Sequence, residues 1–222
     1  MGSETRLVLA IEAAVRGGSI ALTENGREVA SWHGIENVSR AEELLPKISE
    51  LLDQTRTEKN RLGRIAVSNG PGSYTGIRIG LATGLGLARA LNIECAGVAL
   101  LPALAELHGK VAKNVVVIPI GRNELCWQGF DSANDPNSAG QLSTGSIRDL
   151  IEYTELLEGY DLLMQHDAFE VMADTPDFDK IKSRVYNCGR DLALSIGLAT
   201  GKVTSDLTPN YVSNSQFRSN PV

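Results

Sequence analysis

The chain has 222 residues, 42% hydrophobic and 22% charged, with 21 Lys and Arg against 27 Asp and Glu for a formal net charge of −6. That length builds one large domain or two small ones around a buried core, and the composition excludes a disordered chain, collagen and a coiled coil. The acidic balance argues against a protein that grips nucleic acid by itself, because phosphate contacts need Lys and Arg.

The charge is uneven. Residues 1–110 are balanced, so the whole deficit lies in residues 111–222, and ten acids with no Lys or Arg run from Asp149 to Asp179. Such a run reads first as a solvated face, and otherwise as a docking surface for a basic partner. Cys95, Cys126 and Cys188 are odd in number and far apart, with no CxxC pair. They give neither a disulfide framework nor a zinc site. There is no leader-like opening and no run of about 18 apolar residues, so the expectation is a cytoplasmic chain with no membrane partner.

In chain order, Arg6–Ile11, Gly18–Thr23 and Glu28–Trp32 read as three strands. The last two are joined by Asn25-Gly26, the pair best able to take the positive φ of a tight hairpin turn. Ser39 and Glu42 form a capping box for a helix whose apolar face is Leu44, Leu45, Ile48, Leu51 and Leu52. Pro46 inside that pattern predicts a later start or a bend. Arg64–Asn69 reads as a buried strand, residues 70–76 as a loop, Ile77–Leu91 as a helix, Glu94–Val98 as a strand and Leu101–His108 as a short helix.

The second half begins again with strands, at Val115–Ile120, Glu124–Phe130 and Gln141–Thr144, with a polar loop at Asp131–Gly140. Ser146 and Asp149 cap a helix carrying Ile147, Leu150, Ile151 and Leu157, which ends at Gly159. Tyr160–Gln165 is a strand. A helix beginning at Asn187 or Cys188 carries Leu192, Ala193, Ile196 and Ala199 and closes at Gly201, followed by a polar, irregular tail after Asp206. Each half has the order β-β-β-α-β-α. A repeated unit of that order predicts an α/β fold of two similar lobes, actin-like, with the second copy reduced: residues 1–109 and 110–222.

The informative segment is Gly70-Pro71-Gly72-Ser73-Tyr74-Thr75-Gly76-Ile77-Arg78-Ile79-Gly80, between a strand and a helix. Glycines there let backbone amides approach an anion at a helix N-terminus. The segment lacks the Lys of a Walker A loop, its glycines are out of phase with GxGxxG, and Pro71 excludes a GxSxG elbow at Ser73. It reads either as a tight turn with Ser73 or Thr75 as N-cap, or as a phosphate loop made of Gly70, Gly72, Ser73, Thr75 and Gly76 with Glu12 beside it.

The following helix carries Gly76, Gly80, Gly84 and Ala88 at a spacing of four. Gly80, Gly84 and Gly86 inside a helix together cost about 1.5–3 kcal/mol relative to Ala. Close approach of another backbone is the usual compensation, either from the chain's own sheet or from a second molecule. Ile77, Leu81 and Leu85 run alongside.

These residues, with Leu9-Ala10-Ile11-Glu12, Ser39-Arg40 through Leu44-Leu45-Pro46, Gly86-Leu87-Ala88, Gly97-Val98, Asn123-Glu124 to Trp127, Pro209 and Tyr211, resemble the TsaB (YeaZ) family across nearly the whole chain. Its members are accessory subunits of bacterial tRNA threonylcarbamoyladenosine synthesis. The resemblance implies a two-lobed actin-like fold and a heterodimer with the catalytic paralogue TsaD through the first two helices. The implied interface here is Leu44, Ile48, Leu51, Ile77, Gly80, Leu81, Gly84 and Ala88. It also implies a homodimer through the same surface when the paralogue is absent, TsaE as a further ATPase component, and tRNA contact only through the complex.

The departures bear on chemistry. The catalytic paralogue holds a metal through an HxxxH on its first helix; the matching stretch here, Ser39-Arg40-Ala41-Glu42-Glu43-Leu44, has no His. His33, His108 and His166 are not spaced as a ligand pair. Many relatives carry an Asp after the strand that opens the second lobe, where this chain has Ile120-Gly121-Arg122, leaving only Glu12 of the acids that arrange metal and water. The expectation is therefore a subunit with no catalytic residue, no metal and no required cofactor, ATP or ADP entering only at a shared interface. It would bind and activate TsaD for threonylcarbamoylation of the adenosine next to the tRNA anticodon. The alternatives are a diverged homodimeric interaction module and a weak actin-like ATPase using Glu12.

Overall fold

The computed structural model describes residues 7–34, 40–108, 113–121, 124–131, 139–155, 157–176, 178–199 and 204–212. Two mixed sheets repeat one topology. The first uses β1 (Leu7–Glu12), β2 (Ser19–Glu24), β3 (Arg27–His33), β4 (Leu62–Ser68) and β5 (Glu94–Val98), in the spatial order β5-β4-β1-β2-β3. The second uses β6 (Asn114–Pro119), β7 (Leu125–Phe130), β8 (Ser143–Gly145), β9 (Asp161–Met164) and β10 (Val185–Asn187), in the order β10-β9-β6-β7-β8. Each unit opens with an antiparallel meander and continues with parallel strands reached through helices. At the first hairpin Asn25 and Gly26 take φ of 54° and 71°, the positive pair that a tight right-twisted turn requires.

Helices α1 (Arg40–Gln54), α2 (Tyr74–Leu91) and α3 (Leu100–His108) belong to the first half. Those of the second half are α4 (Ile147–Glu155), α5 (His166–Ala173), α6 (Phe178–Ile181) and α7 (Leu192–Ala199). The helix after each unit's last strand reaches across to the other unit. α7 packs on β1 and β2, α3 packs on β6, and the two pack on each other. A short strand β11 (Thr204–Ser205) then joins the outer edge of the first sheet beside β5.

The period-2 alternation of the strands sorts the core into three clusters. Leu7, Leu9 and Ile11 of β1 face α1 and α2, together with Ile20, Leu22, Ile65 and Val67. Val8 and Ala10 face the central layer of α3 and α7, which Val116, Ile118, Cys126 and Phe130 close from the second sheet. Val115, Val117, Leu125 and Trp127 face α4, α5 and α6 on the far side. Both faces of β1 and β6 are covered, which is why these strands read as continuous apolar runs. A Cβ on Gly197 of α7 would stand 2.9 Å from Thr23 Cγ2 and 3.2 Å from Ala10 Cβ, so α7 lies close on the first sheet.

Each half opens with the expected order β-β-β-α-β-α and continues with a further strand and helix, β5 and α3 in the first, β10 and α7 in the second, and other expectations change in detail. α1 runs continuously through Pro46, and Ser39 of the expected capping box lies outside the described residues. Residues 132–138 of the polar loop also lie outside them. α4 ends at Glu155, ahead of Gly159. The stretch after β9, read only as an acidic run, folds into α5 and α6. Asn187 is in β10, paired to Met164, and the last helix starts at Leu192. The chain leaves β10 through Gly189, whose φ of 76° breaks any helix starting earlier.

The glycine strip of α2 faces inward. A Cβ on Gly84 would lie 2.2 Å from Val67 Cγ2, and one on Gly80 would lie 3.4 Å from Ala13 Cβ. Gly86 points outward, and a Cβ there would meet nothing within 4 Å. The two positions therefore respond with opposite sign in denaturant titration. Gly84→Val over-packs the sheet and loses about 1–3 kcal/mol, whereas Gly86→Ala gains about 0.5–1 kcal/mol.

The start of α4 carries a pH signature. Ser146 donates from both its amide and its hydroxyl to Asp149 Oδ2, each at 2.7 Å. The hydroxyl first and the amide second hold the Asp149 carboxyl below its usual range. A lowered folded pKa makes this stabilisation complete above the unfolded value of about 3.9 and lost as pH falls through the folded value. Asp149→Asn is expected to lower Tm at neutral pH, and the deficit should vanish near pH 2 in a thermal melt series.

Candidate functional site

The Gly70–Gly76 segment leaves β4 and enters α2, lying against the turn that follows β1. Glu12 ends β1, is 1% exposed, and its Oε1 accepts from the amides of Ala14 at 2.5 Å and Val15 at 2.9 Å. This holds the 13–15 turn in place, and Ser73 donates its own amide to Ala14 O at 2.8 Å. Gly72, at φ 153°, sits where a Cβ would be 2.6 Å from Ala14 O. Gly70, at φ 109°, sits where a Cβ would be 2.6 Å from Asn210 O. Both glycines are thus required by close contact with the chain's own backbone and by a φ that L side chains rarely adopt.

Ser73 is the N-cap of α2: its Oγ accepts from the Gly76 amide at 3.3 Å. Thr75 is exposed in the first turn. The structure thus brings Glu12, Gly72 and Ser73 together around Ala14, while Gly70 lies against Asn210 and Gly76 bonds to Ser73. The residues present do not fit a metal–triphosphate cradle. The Glu12 oxygen is committed to two amides, Ala14 stands before the loop, and Gly121 follows β6 where a second acid would be needed.

The side chains expected to form an interface are placed as follows. Leu44, Ile48, Leu51, Ile77, Leu81 and Ala88 are all buried in the core between the first sheet and helices α1 and α2, and Gly80 and Gly84 lie on that sheet. The amphipathic pattern had marked the face turned to the chain's own core. The opposite face carries Leu45, 52% exposed, and Leu85, 37% exposed, with Ala82, Gly86 and Ala90 also exposed. Between the two helices an apolar groove of about 330 Å³ is lined by Leu45, Ile48, Leu52, Leu87, Ala90 and Leu91.

Two side-chain clusters had no sequence signal beyond helical spacing. At the start of α2 the Arg78 guanidinium lies 3.9 Å from the centre of the Tyr74 ring, and its Nε donates to Tyr211 Oη at 3.1 Å. The two tyrosine rings are 4.7 Å apart. Tyr74 and Arg78 are one turn apart, which the sequence shows; Tyr211 arrives from 133 residues away, which it does not.

At the start of α5, His166, Asp167 and Glu170 bring ligand atoms within 4.8 Å of one another. The spacing i, i+1, i+4 was available in the sequence. Asn187 Oδ1 accepts from the Gly189 amide, which turns its Nδ2 toward His166 Nδ1 at 2.9 Å. His166 Nε2 faces Glu170 at 3.1 Å, and Arg190 bridges Asp167 and Glu170. The cluster is closed by a guanidinium. The thiols offer no activated nucleophile: burial pushes Cys126 and Cys188 up to about 12 and Cys95 to about 11.

No helix among the described residues is long and apolar enough to cross a membrane. Residues 36–204 match the family model described as "TsaD: tRNA N6-adenosine threonylcarbamoyltransferase". The chain is 27% identical over 126 residues to the tRNA threonylcarbamoyladenosine biosynthesis protein TsaB of Buchnera aphidicola subsp. Baizongia pistaciae, covering 55% of this chain and 57% of that protein. It is 30% identical over 99 residues to the TsaB protein of Escherichia coli K12, covering 45% of this chain and 42% of that one. The matched segment thus spans about half the length of these curated relatives. In structure it is similar to YeaZ from Pseudomonas aeruginosa, with a TM-score of 0.64 at 20% identity over 93% of this chain and 100% of that one. The duplicated sheet order and crossed helices are the actin-like α/β fold, and the chain belongs to the TsaD family, within its TsaB (YeaZ) group.

Proposed function

We propose that the chain is a non-catalytic subunit of tRNA threonylcarbamoyladenosine synthesis that binds and activates a TsaD-like catalytic paralogue through the outward face of α1 and α2. The observation that carries this reading is Gly86. A glycine in the middle of an 18-residue helix costs about 0.5–1 kcal/mol relative to Ala, and here no neighbour among the described residues uses the space. With Ala82 and Ala90 it makes a flat strip at which a second helix backbone can come close, flanked by exposed Leu45 and Leu85 and the groove beside them.

A supporting rather than catalytic role agrees with the chemistry available. Glu12 serves the backbone of its own turn, and the stretch 39–44, which matches the HxxxH expected of the catalytic paralogue, has no His. In this reading a nucleotide, if bound, belongs to a surface shared with the paralogue, and tRNA is reached through the complex with TsaE completing the system.

The test is tRNA threonylcarbamoylation by the TsaD-like and TsaE-like proteins of the same organism, with a threonylcarbamoyl-adenylate supply and tRNA. Product is expected only when this chain is added, and none from this chain alone. Formation of product without it would leave the homodimeric module as the better reading. Leu85→Asp and Leu45→Asp each place a carboxylate on the exposed face. Each should weaken co-elution with the paralogue by about 100-fold while leaving Tm within about 2 °C of the parent, because both positions are exposed.

A further inference from the structure

We infer that Arg78, clamped by Tyr74 and Tyr211, is the polar anchor of the α2 face and receives an aspartate or glutamate carboxylate from the protein partner. This rests on the reading above, since Arg78 stands at the head of the same face: Arg78, Ala82, Leu85 and Arg89 recur at four, seven and eleven residues along α2.

Arg61, Arg64, Arg148 and Arg190 each reach a carboxylate within the chain. Arg78 reaches none among the described residues; its interactions are with Tyr211 and Tyr74. In a chain of net charge −6 this is an exposed cation without a counter-charge among the described residues. A guanidinium has five N–H donors in a planar fork, and its complement is an oxyanion taken by two parallel bonds. With Nε given to Tyr211 Oη, the terminal nitrogens remain the natural edge for that contact.

The second point is rigidity. An arginine free in solvent loses rotamer freedom when it binds. Here the guanidinium is stacked on Tyr74, the first residue of α2, and hydrogen-bonded to Tyr211. Tyr211 is itself held. Asn69 Nδ2 donates to Asp206 O and Thr208 O, both at 3.1 Å, and the Asn210 amide donates to Asn69 O at 2.7 Å. The segment 206–212 therefore fixes the orientation of Arg78 from outside the helix. Tyr74 is 52% exposed and Tyr211 is 38% exposed, and two aromatic rings around an arginine are the side chains that most often dominate binding energy at protein interfaces.

The third point selects a protein carboxylate over a polynucleotide. Binding to a nucleic acid backbone draws on several cations that neutralise successive phosphates. The next cation along this face is Arg89, three turns away, and the intervening surface is Ala82, Leu85 and Gly86. One fork beside an apolar strip fits one carboxylate at the edge of a packed helix.

Affinity for the TsaD-like protein of the same organism is measured by calorimetry for the parent, Arg78→Gln, Arg78→Lys, Tyr211→Phe and Leu85→Asp. Arg78→Gln is expected to weaken binding about 10- to 100-fold, and Tyr211→Phe, which keeps the ring and removes the acceptor, about 3-fold. Arg78→Lys, with charge but no fork, should fall between the parent and Gln. The gap between parent and Arg78→Gln should narrow as salt rises from about 0.1 to about 0.5 M, and Tm should be unchanged. Parent-like affinity of Arg78→Gln with loss of binding in Leu85→Asp would overturn the anchor and leave the α2 face standing. Absence of binding by the parent itself would overturn both. A filter-binding arm with unfractionated tRNA and the chain alone covers the other ligand: loss of retention in Arg78→Gln, with partner affinity unchanged, would also overturn the anchor.

Discussion

The contact between Gly72 and Ala14 sets the geometry on which the rest of the first unit depends. Two loops from adjacent parallel strands meet at close range, Gly72 against the carbonyl and Cβ of Ala14. Glu12 shapes one loop by capping Ala14 and Val15, and Ser73 ties the other to it through the Ala14 carbonyl. Because Ser73 is also the N-cap of α2, the same contact fixes where that helix begins and which of its faces meets the sheet. Gly80 and Gly84 then let α2 settle on Ala13 and Val67, and Gly86 is turned outward as a consequence.

The glycine loop also acts as a joint between the turn after β1 and the start of α2. Glycine-rich turns before helices serve either end because both need backbone at close range. What distinguishes them is which atom occupies the space in front of the amides. Here it is a carbonyl of the chain, with Asn210 on the other side of Gly70. In this chain the segment holds the start of α2 and the segment 206–212 in register.

Most elements were legible in chain order because they announced themselves by period or by turn chemistry. Asn25-Gly26 marked its hairpin, Ser146 and Asp149 marked the start of α4, and the apolar runs of β1 and β6 marked strands. The direction of the α2 glycines was not legible: a strip of small residues states that something comes close, and Val67 is known to be that something only once β4 lies beneath it. Leu44, Ile48 and Leu51 were correctly seen as one face and assigned to the wrong neighbour for the same reason. The last helix was placed early because β10 is only three residues long and polar at its end, too short for an alternating pattern. Tyr211 beside Arg78 is a contact of long sequence separation, carried by the Asn69 side chain, and no local rule finds it.

The exchange of α3 and α7 between the two sheets has a consequence for how the chain is made. The first sheet is complete in its central strands by residue 98, yet its inner face waits for α7 and its outer edge for β11. During synthesis from the N-terminus, Ala10, Ala21 and Ala66 gain Leu192, Ala193 and Ile196 of α7 as neighbours in their cluster only after nearly 200 residues have been joined. The two halves therefore cannot mature in succession like beads on a string. The first sheet is shielded on its inner face only once α7 has been made, about 100 residues after its central strands.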